Sequence, residues 1–281
     1  GCTFGFLCEG GNSVGAQLVG ATQGNQGSID TVLQSKARAY VMLHVEPLND
    51  LPNPQHTRSA LQAADTVIAM SAYTSPDLLE LADVILPITP YTETIGSYVN
   101  MAGQVQTIQP SVRPLADARP AWKVLRALGS LLNLEGFLYN LPEEVYADAF
   151  AKPVQDLLNN SFTATPEIQQ RIPIAAALER LADQPIYSSD AIVRRAPALQ
   201  RTRDAKDATM VGVGQTLWAQ LSLQAGDRVV LAQNGHTVEA SVLLQPDLAD
   251  GVVRIATATE LSGQLASMFG EVSLSKSTVS A

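Results

Sequence analysis

In the first hundred positions, short apolar runs alternate with stretches whose apolar residues have helical spacing. The runs at 3–7, 39–45, 66–70 and 84–88 predict strands, and the stretches at 13–20, 57–64 and 76–82 predict helices. Strands that alternate with helices are typical of a parallel sheet with helices on its faces. We therefore predict an α/β fold for this part of the chain.

The apolar pattern changes after residue 118. Large apolar residues then recur at helical spacing and predict an amphipathic helix whose stripe packs on the sheet: Trp122, Leu125, Leu128, Leu131 and Leu132. This spacing favours a core position for Trp122 over a role in cofactor binding. Prolines interrupt short helical stretches from there to about residue 185, so we expect a helical cover followed by a linker.

The last ninety or so residues have a different, β-rich pattern. Alternating runs at 227–231 and 237–244 flank Asn234 and Gly235, a pair that strongly favours a tight β-hairpin. The pattern predicts an all-β domain. We place the domains at residues 1–185 and 186–281.

Composition narrows the classes of function. The chain has 281 residues, 46% of them hydrophobic, and a formal net charge of −9, which argues against nucleic acid as a partner. No apolar run approaches the length of a membrane span, so direct membrane insertion is not expected. If residues 3–8 form a strand, Cys2 and Cys8 lie about 20 Å apart. Two such cysteines cannot supply the thiolates of an iron–sulfur cluster.

The most specific pattern is the segment 81–106, LADVILPITPYTETIGSYVNMAGQVQ. A short apolar run closed by Pro87 and Pro90 suits a buried parallel strand, and Glu93, Gly96 and Asn100 follow in a loop where ligands of such sheets collect. The segment resembles the molybdopterin oxidoreductase superfamily. Within that superfamily, it is similar to the C-terminal part of the large iron–sulfur subunits of bacterial NADH-quinone oxidoreductase, complex I.

This resemblance implies a Rossmann-like domain, truncated at its N-terminus, followed by a double-psi β-barrel. The segment 223–231, LQAGDRVVL, is similar to the barrel of that superfamily. The resemblance also implies a non-catalytic scaffold segment, inactive alone, of a proton-pumping oxidoreductase on the cytoplasmic face of the bacterial inner membrane. Its partners would be other subunits of the peripheral arm.

The resemblance implies no cofactor in this segment, with 2Fe–2S and 4Fe–4S clusters in an N-terminal part that the sequence does not include. Active molybdenum enzymes carry a His-rich and Thr-Arg stretch where this chain has DAIVRRAPALQRT at 190–202. That departure favours complex I. The alternative is part of a molybdopterin-dependent oxidoreductase such as formate dehydrogenase or nitrate reductase.

The glycine turn at residues 9–15 allows three hypotheses. Asn12 or Ser13 caps a helix, the turn is the remnant of a cofactor loop, or Ser13 is a nucleophile in the G-x-S-x-G pattern of hydrolases. Capping is favoured, since no suitable histidine follows on the same sheet. As vestigial cofactor-binding residues we name Asn12, Ser13, Glu93 and Asn100, and we assign no catalytic or metal-binding residue.

Two further groups of polar residues allow alternative roles. His44, Glu46 and His56 lack the spacing of a zinc site, which favours ordinary core or surface roles. A basic cluster lies after the expected linker and is either a solvated linker or a docking surface for an acidic partner. Its members are Arg194, Arg195, Arg201, Arg203 and Lys206.

Overall fold

The structure is a computed structural model that describes residues 5, 7–8, 10–21, 28–159 and 177–278. Most of the strand predicted at 3–7 lies outside these residues. The chain divides into two compact units. The first unit comprises residues 1–44, 66–74 and 82–168, and the second comprises 45–65, 75–81 and 169–281.

A three-stranded parallel sheet lies in the first unit. Its strands are β1 (Ala39–Leu43), β2 (Thr66–Ser71) and β3 (Val84–Pro87), hydrogen-bonded in the order β1-β2-β3. Val41 pairs with Ile68 of β2, and Ile68 pairs with Val84 of β3. The sheet confirms the parallel α/β arrangement predicted from the alternating pattern.

The two faces of this sheet differ in burial. Val67 and Ala69 of β2 are buried, whereas Val41 and Val84, in register with Ile68 on the other face, are 49% and 44% exposed. Parallel strands normally bury both faces. The expectation of a buried strand at 84–88 was therefore wrong for β3, because no described element covers it fully: Val84 and Pro87 are exposed, and Ile85 and Leu86 are half-buried. Ile88, directly after the strand, is 1% exposed.

The remaining elements of the first unit are short. They are α1 (Ser13–Leu18), α2 (Ile29–Gln34), a 3₁₀ turn (Tyr91–Glu93), β4 (Gly96–Val99), β5 (Val105–Ile108), α6 (Ala121–Leu131), α7 (Pro142–Ala149) and α8 (Val154–Leu157). Strands β4 and β5 form an antiparallel hairpin that we expected to be a loop. Strand pairing, which sequence periodicity over four residues cannot report, makes this segment a hairpin.

Helix α6 forms where the helical spacing predicted it, but its apolar stripe is not covered throughout. Leu131 is 81% exposed, and Leu132 directly after the helix is also exposed. Gly129 is buried, and a Cβ there would lie 2.2 Å from the ring of Phe137. The chain thus folds back over the glycine rather than over the leucines, and the predicted packing of the whole stripe was wrong at this end.

The second unit holds a closed six-stranded barrel. Its strands follow the order β10-β6-β11-β8-β9-β7 around the barrel. They are β6 (Leu178–Leu181), β7 (Val211–Val213), β8 (Arg228–Gln233), β9 (His236–Leu244), β10 (Val252–Arg254) and β11 (Glu271–Lys276). The barrel confirms the β-barrel expected for the C-terminal part, but the domain is not all-β, because short helices lie between its strands. Its first strand lies upstream of the boundary expected at residue 185.

Short helices complete the second unit. They are α3 (Pro47–Asp50), α4 (Pro54–Gln62), α5 (Pro76–Leu81), a 3₁₀ turn (Val193–Arg195), α9 (Pro197–Gln200), α10 (Arg203–Asp207), α11 (Gln215–Gln220) and α12 (Glu260–Gly263). Along the chain, α3 and α4 connect β1 to β2, and α5 connects β2 to β3. By their contacts, α3, α4 and α5 belong to the same compact unit as the barrel.

The turn between β8 and β9 has the geometry that its sequence favours. Asn234 and Gly235 have φ values of 47° and 84°, as the central residues of a type I′ turn require. Along β8, buried and half-buried residues alternate, and Val229 and Leu231 point into the core. The hairpin was predicted because both the turn and the alternation are local properties.

Two buried polar side chains fix the loop between α12 and β11. Gln233 donates to the carbonyl of Phe269 and accepts from the backbone N–H of Ser267, and Arg180 donates to the carbonyls of Ser267 and Ile255. Burial lowers the pKa of Arg180 to about 10. The guanidinium is therefore still charged at neutral pH, and carbonyl oxygens stabilise its charge.

Candidate functional site

The glycine turn at residues 10–12 leads into α1, and Asn12 stands at its N-cap position. Its side chain makes no capping hydrogen bond. Instead, the Asn12 Oδ1 accepts a hydrogen bond of 2.8 Å from the backbone N–H of Val99 in β4. Val99 is buried. Asn12 therefore joins α1 to the β4–β5 hairpin, a contact between residues 87 positions apart.

Gly15 makes this contact possible. It is the buried residue of α1, and a Cβ at this position would lie 2.1 Å from the Asn12 Oδ1. Any larger residue would push the amide away from Val99. Sequence reasoning treated Gly15 only as the end of a motif. The signal that could have revealed its role is a glycine three residues after an asparagine at the start of a short helix.

Asn100 organises the turn between β4 and β5. Its Oδ1 accepts from the backbone N–H groups of Ala102 and Gln104 at 2.9 and 3.0 Å. Gly103 has a φ of 74°, in the region that favours glycine. Since Asn12 contacts Val99, the structure brings Asn12 and Asn100 to the same end of β4.

Glu93 lies in the 3₁₀ turn before β4. Its carboxylate accepts from the backbone N–H of Leu115 at 3.1 Å, and the carbonyl of Thr92 accepts from Ser111. Glu93 therefore fastens the loop that follows β5. This interaction connects a different pair of segments from the one that Asn12 joins.

Ser13 is the first residue of α1, and its hydroxyl donates to the carbonyl of Gly10 at 3.0 Å. In the described part of the chain, this hydroxyl has no hydrogen bond to a histidine. A serine nucleophile needs an adjacent base. No described neighbour of Ser13 activates it in that way.

The acceptor oxygens of Asn12, Asn100 and Glu93 thus all receive backbone N–H groups of the same chain. Each satisfies a donor in a turn or strand that would otherwise require another partner. The arrangement stabilises loops through side-chain to backbone hydrogen bonds. These three side chains include no cation, and they form no pair of titratable groups that could move a proton.

A second polar cluster lies in the second unit around Glu46, which is 4% exposed. Arg194 binds Glu46 at 3.0 Å and Asp50 at 2.6 Å, and Arg195 binds the other oxygen of Glu46 at 2.6 Å. Burial lowers the pKa of Arg194, but its hydrogen bonds and charge interactions with Asp50 and Glu46 outweigh this and raise that pKa. We call this group the Glu46 cluster.

The Glu46 cluster bears on both groups of polar residues that the sequence singled out. Glu46 is held by arginines, and no group of three or more His, Cys, Asp or Glu residues is arranged to hold a metal ion in the described ranges. Arg194 and Arg195 are not a solvated linker, because their charges are matched within the unit. Arg203 instead pairs with Asp207 on the surface of α10.

The comparisons with known proteins indicate a protein family. Residues 3–131 match the family model described as molybdopterin oxidoreductase, so the chain carries a domain of that family. The structure is similar to acetylene hydratase from Pelobacter acetylenicus, with a TM-score of 0.64 and 14% identity, over 95% of this chain and 51% of that chain. At this identity the likeness shows the fold alone.

Sequence relatives include subunits of NADH-ubiquinone oxidoreductase. The 78 kDa subunit of Candida albicans is 50% identical over 52 residues, 18% of this chain and 7% of that protein. The 75 kDa subunit of Reclinomonas americana is 28% identical over 110 residues, 39% of this chain and 16% of that protein. The F420-dependent formate dehydrogenase subunit alpha of Methanocaldococcus jannaschii is 28% identical over 101 residues, 36% of this chain and 15% of that protein.

The chain thus spans 7–16% of the length of these relatives. These relatives are named as oxidoreductases or as a dehydrogenase. In the described part of the chain, no helix is long and apolar enough to cross a membrane.

Proposed function

We propose that this chain is a non-catalytic scaffold segment of the large iron–sulfur subunit of a proton-pumping NADH-quinone oxidoreductase. In this proposal, electrons pass through 2Fe–2S and 4Fe–4S clusters in another part of the subunit, and this segment packs against other subunits of the peripheral arm on the cytoplasmic face of a bacterial membrane. The observation that carries the proposal is the use of Asn12, Asn100 and Glu93 as internal braces.

The side chains of these three residues provide no positive charge for the phosphates of a pterin dinucleotide at this turn. A dinucleotide carries phosphates, which bind to cations or to free N–H groups at the start of a helix. Here the candidate side chains are neutral or, for Glu93, negatively charged, and their oxygens already accept from the backbone. The proposed function therefore involves no chemical step at a pterin or a metal in this segment.

The similarity to large subunits of NADH-ubiquinone oxidoreductase supports the proposal, since one such subunit is half identical over 52 residues. The similarity to a formate dehydrogenase subunit supports the alternative, a segment of a molybdopterin-dependent oxidoreductase. The two proposals differ in the metal that the purified assembly carries and in its electron donor.

The experiment is affinity purification of the assembly from the native host after tagging the chromosomal gene that encodes this sequence. We expect NADH-dependent quinone reduction, iron, and no molybdenum by elemental analysis. Glu93→Gln and Ser13→Ala should leave turnover per assembled complex unchanged, because neither side chain touches a reacting group. Stoichiometric molybdenum together with formate oxidation would establish the alternative instead.

A further inference from the structure

An apolar groove opens on the first unit between the β4–β5 hairpin, α6 and α7. Its volume is about 390 Å³, within the range of pockets that bind ligands or anchor side chains. Its lining is mostly apolar and includes Ile95, Thr107, Trp122, Val145, Tyr146 and Phe150. We call it the Trp122 groove.

Helix α7 forms one wall of the Trp122 groove. Pro142, Val145, Tyr146 and Ala149 are spaced at i, i+3, i+4 and i+7, so they share one helix face and all line the groove. The carboxylate of Glu144 accepts from the backbone N–H groups of Asn140 and Leu141 and holds the start of the helix. These hydrogen bonds lower the pKa of Glu144 and keep the wall in place at neutral pH.

Exposed apolar residues continue from the groove along the chain. Leu138 is 85% exposed, and Leu141, which directly precedes the groove residue Pro142, is also exposed. Leu131, Leu132 and Leu134 add further exposed side chains just upstream. Several exposed apolar side chains close in sequence to an apolar groove are typical of interaction sites. A small molecule would cover the groove alone, whereas a protein segment can cover the leucines as well.

The charged residues at the groove indicate which charge a partner needs. Helix α7 carries Glu143, Glu144 and Asp148 and no cation. Glu144 is engaged by the backbone and Asp148 by the hydroxyl of Tyr139, while Glu143 lines the groove and has no hydrogen bond or ion pair within the described ranges. Lys123 lies over the Trp122 ring, 5.5 Å from its centroid. The available charge on the α7 wall is therefore a carboxylate.

We propose that the Trp122 groove docks a short amphipathic helix of a partner protein, whose apolar side chains fill the groove and whose lysine or arginine pairs with Glu143. This mode of binding places anchors at i, i+3, i+4 and i+7 of the partner helix. The inference rests on the proposed scaffold function, and it names the surface and the chemistry of one partner contact.

The test uses the full chain with Trp218→Phe, which leaves Trp122 as the sole tryptophan. Two capped synthetic peptides of equal length serve as probes, one of leucine and lysine with leucines at helical spacing, and one with glutamate in place of lysine. We expect the lysine peptide to change the Trp122 fluorescence saturably. The glutamate peptide should bind up to about fivefold more weakly, as one exposed ion pair allows.

Two substitutions examine the groove directly. Glu143→Lys should reverse the preference between the peptides. Ala149→Trp should fill the groove with its own side chain and abolish the response to either peptide, read by displacement of a fluorescent lysine peptide. Glu271→Lys, an exposed change of the same charge in the barrel, is the matched control and should alter neither affinity. This control measures how much of the peptide binding comes from the general attraction of cations to a chain with a net charge of −9.

The absence of a saturable response to the lysine peptide, or a response that survives both Glu143→Lys and Ala149→Trp, would overturn the proposal. A Trp122 emission maximum that shifts with protein concentration in the absence of peptide would assign the groove to a second copy of this chain and would also overturn the proposal. The peptide assay uses neither metal content nor quinone reduction. Its failure is thus distinguishable from failure of the scaffold function.

Discussion

At the scale of single residues, Asn12 occupies the N-cap position of α1, but its side chain makes a hydrogen bond to a residue distant in the sequence. A cap would satisfy donors at the start of α1, but the amide oxygen instead reaches the N–H of Val99. An unsatisfied N–H next to the buried side chain of Val99 would cost about 1–3 kcal/mol. The hydrogen bond therefore orders α1 against the hairpin.

The first prediction tests the steric link between Gly15 and Asn12. Gly15→Ala should destabilise the first unit by about 1–2 kcal/mol, because the new methyl group displaces the amide from Val99. In an Asn12→Ala background the same change should be neutral or stabilising by up to about 1 kcal/mol, since alanine is the better helix former. Urea unfolding of the Trp218→Phe protein, followed by Trp122 fluorescence, measures both.

The change in unfolding free energy caused by Gly15→Ala should differ between the protein with Asn12 and the Asn12→Ala variant. If Gly15→Ala costs the same amount with and without the Asn12 side chain, the two residues are not coupled. The methyl group at position 15 would then destabilise the first unit by some route other than displacement of the Asn12 amide.

At the scale of elements, the Glu46 cluster joins the start of α3 to the 3₁₀ turn at Val193–Arg195. Glu46 and Arg194 are 148 positions apart in the chain and both lie in the second unit. Buried ion pairs contribute little net stability compared with apolar packing, but removal of one partner leaves an uncompensated charge. The segment that composition suggested as a linker is thus held in place.

The second prediction follows from this burial. Glu46→Ala should lower the free energy of unfolding of the second unit by up to about 3–5 kcal/mol, because Arg195 loses this carboxylate and Arg194 keeps only Asp50. Arg203→Ala is the control, since Arg203 is 87% exposed and its pair with Asp207 should contribute at most about 0.5 kcal/mol. Urea unfolding followed by Trp218 fluorescence in a Trp122→Phe background reports both. Equal losses in the two variants would show that the Glu46 cluster behaves as a surface pair.

At the scale of the whole molecule, the three-stranded sheet has an incompletely covered face. Val41 and Val84 lie on either side of Ile68 in register, and both are partly exposed, as is Leu43. Each outer strand also has an edge without a strand partner among the described residues. Apolar faces and free strand edges favour association with other chains.

The third prediction is that the isolated 281-residue chain self-associates through this face. Light scattering should detect dimers or larger species at micromolar concentration, and Val41→Thr with Val84→Thr should shift the population toward monomer. Threonine keeps the β-branched shape and exchanges a methyl group for a hydroxyl. Val112→Thr, at an exposed position outside the sheet, is the matched control. A monodisperse monomer for the unaltered chain would contradict the prediction.

The sequence by itself determined the features that depend on neighbouring residues. Alternating runs predicted β1, β2 and β3 and the parallel sheet, and Asn234 with Gly235 predicted the barrel hairpin. The segment at 81–106 led to the molybdopterin oxidoreductase family, which the comparison of residues 3–131 supports. Periodicity, turn chemistry and ordered motifs are local, so a single sequence reports them.

The tertiary structure alone decided which distant residues meet. The sequence named Asn12 and Asn100 as candidates, but not the contact of Asn12 with Val99 or the need for Gly15. It also left the arginines at 194 and 195 between two hypotheses until Glu46 was seen beside them. These contacts join residues 87 and 148 positions apart. No local pattern encodes them, because they form only when packing of the whole unit brings the segments together.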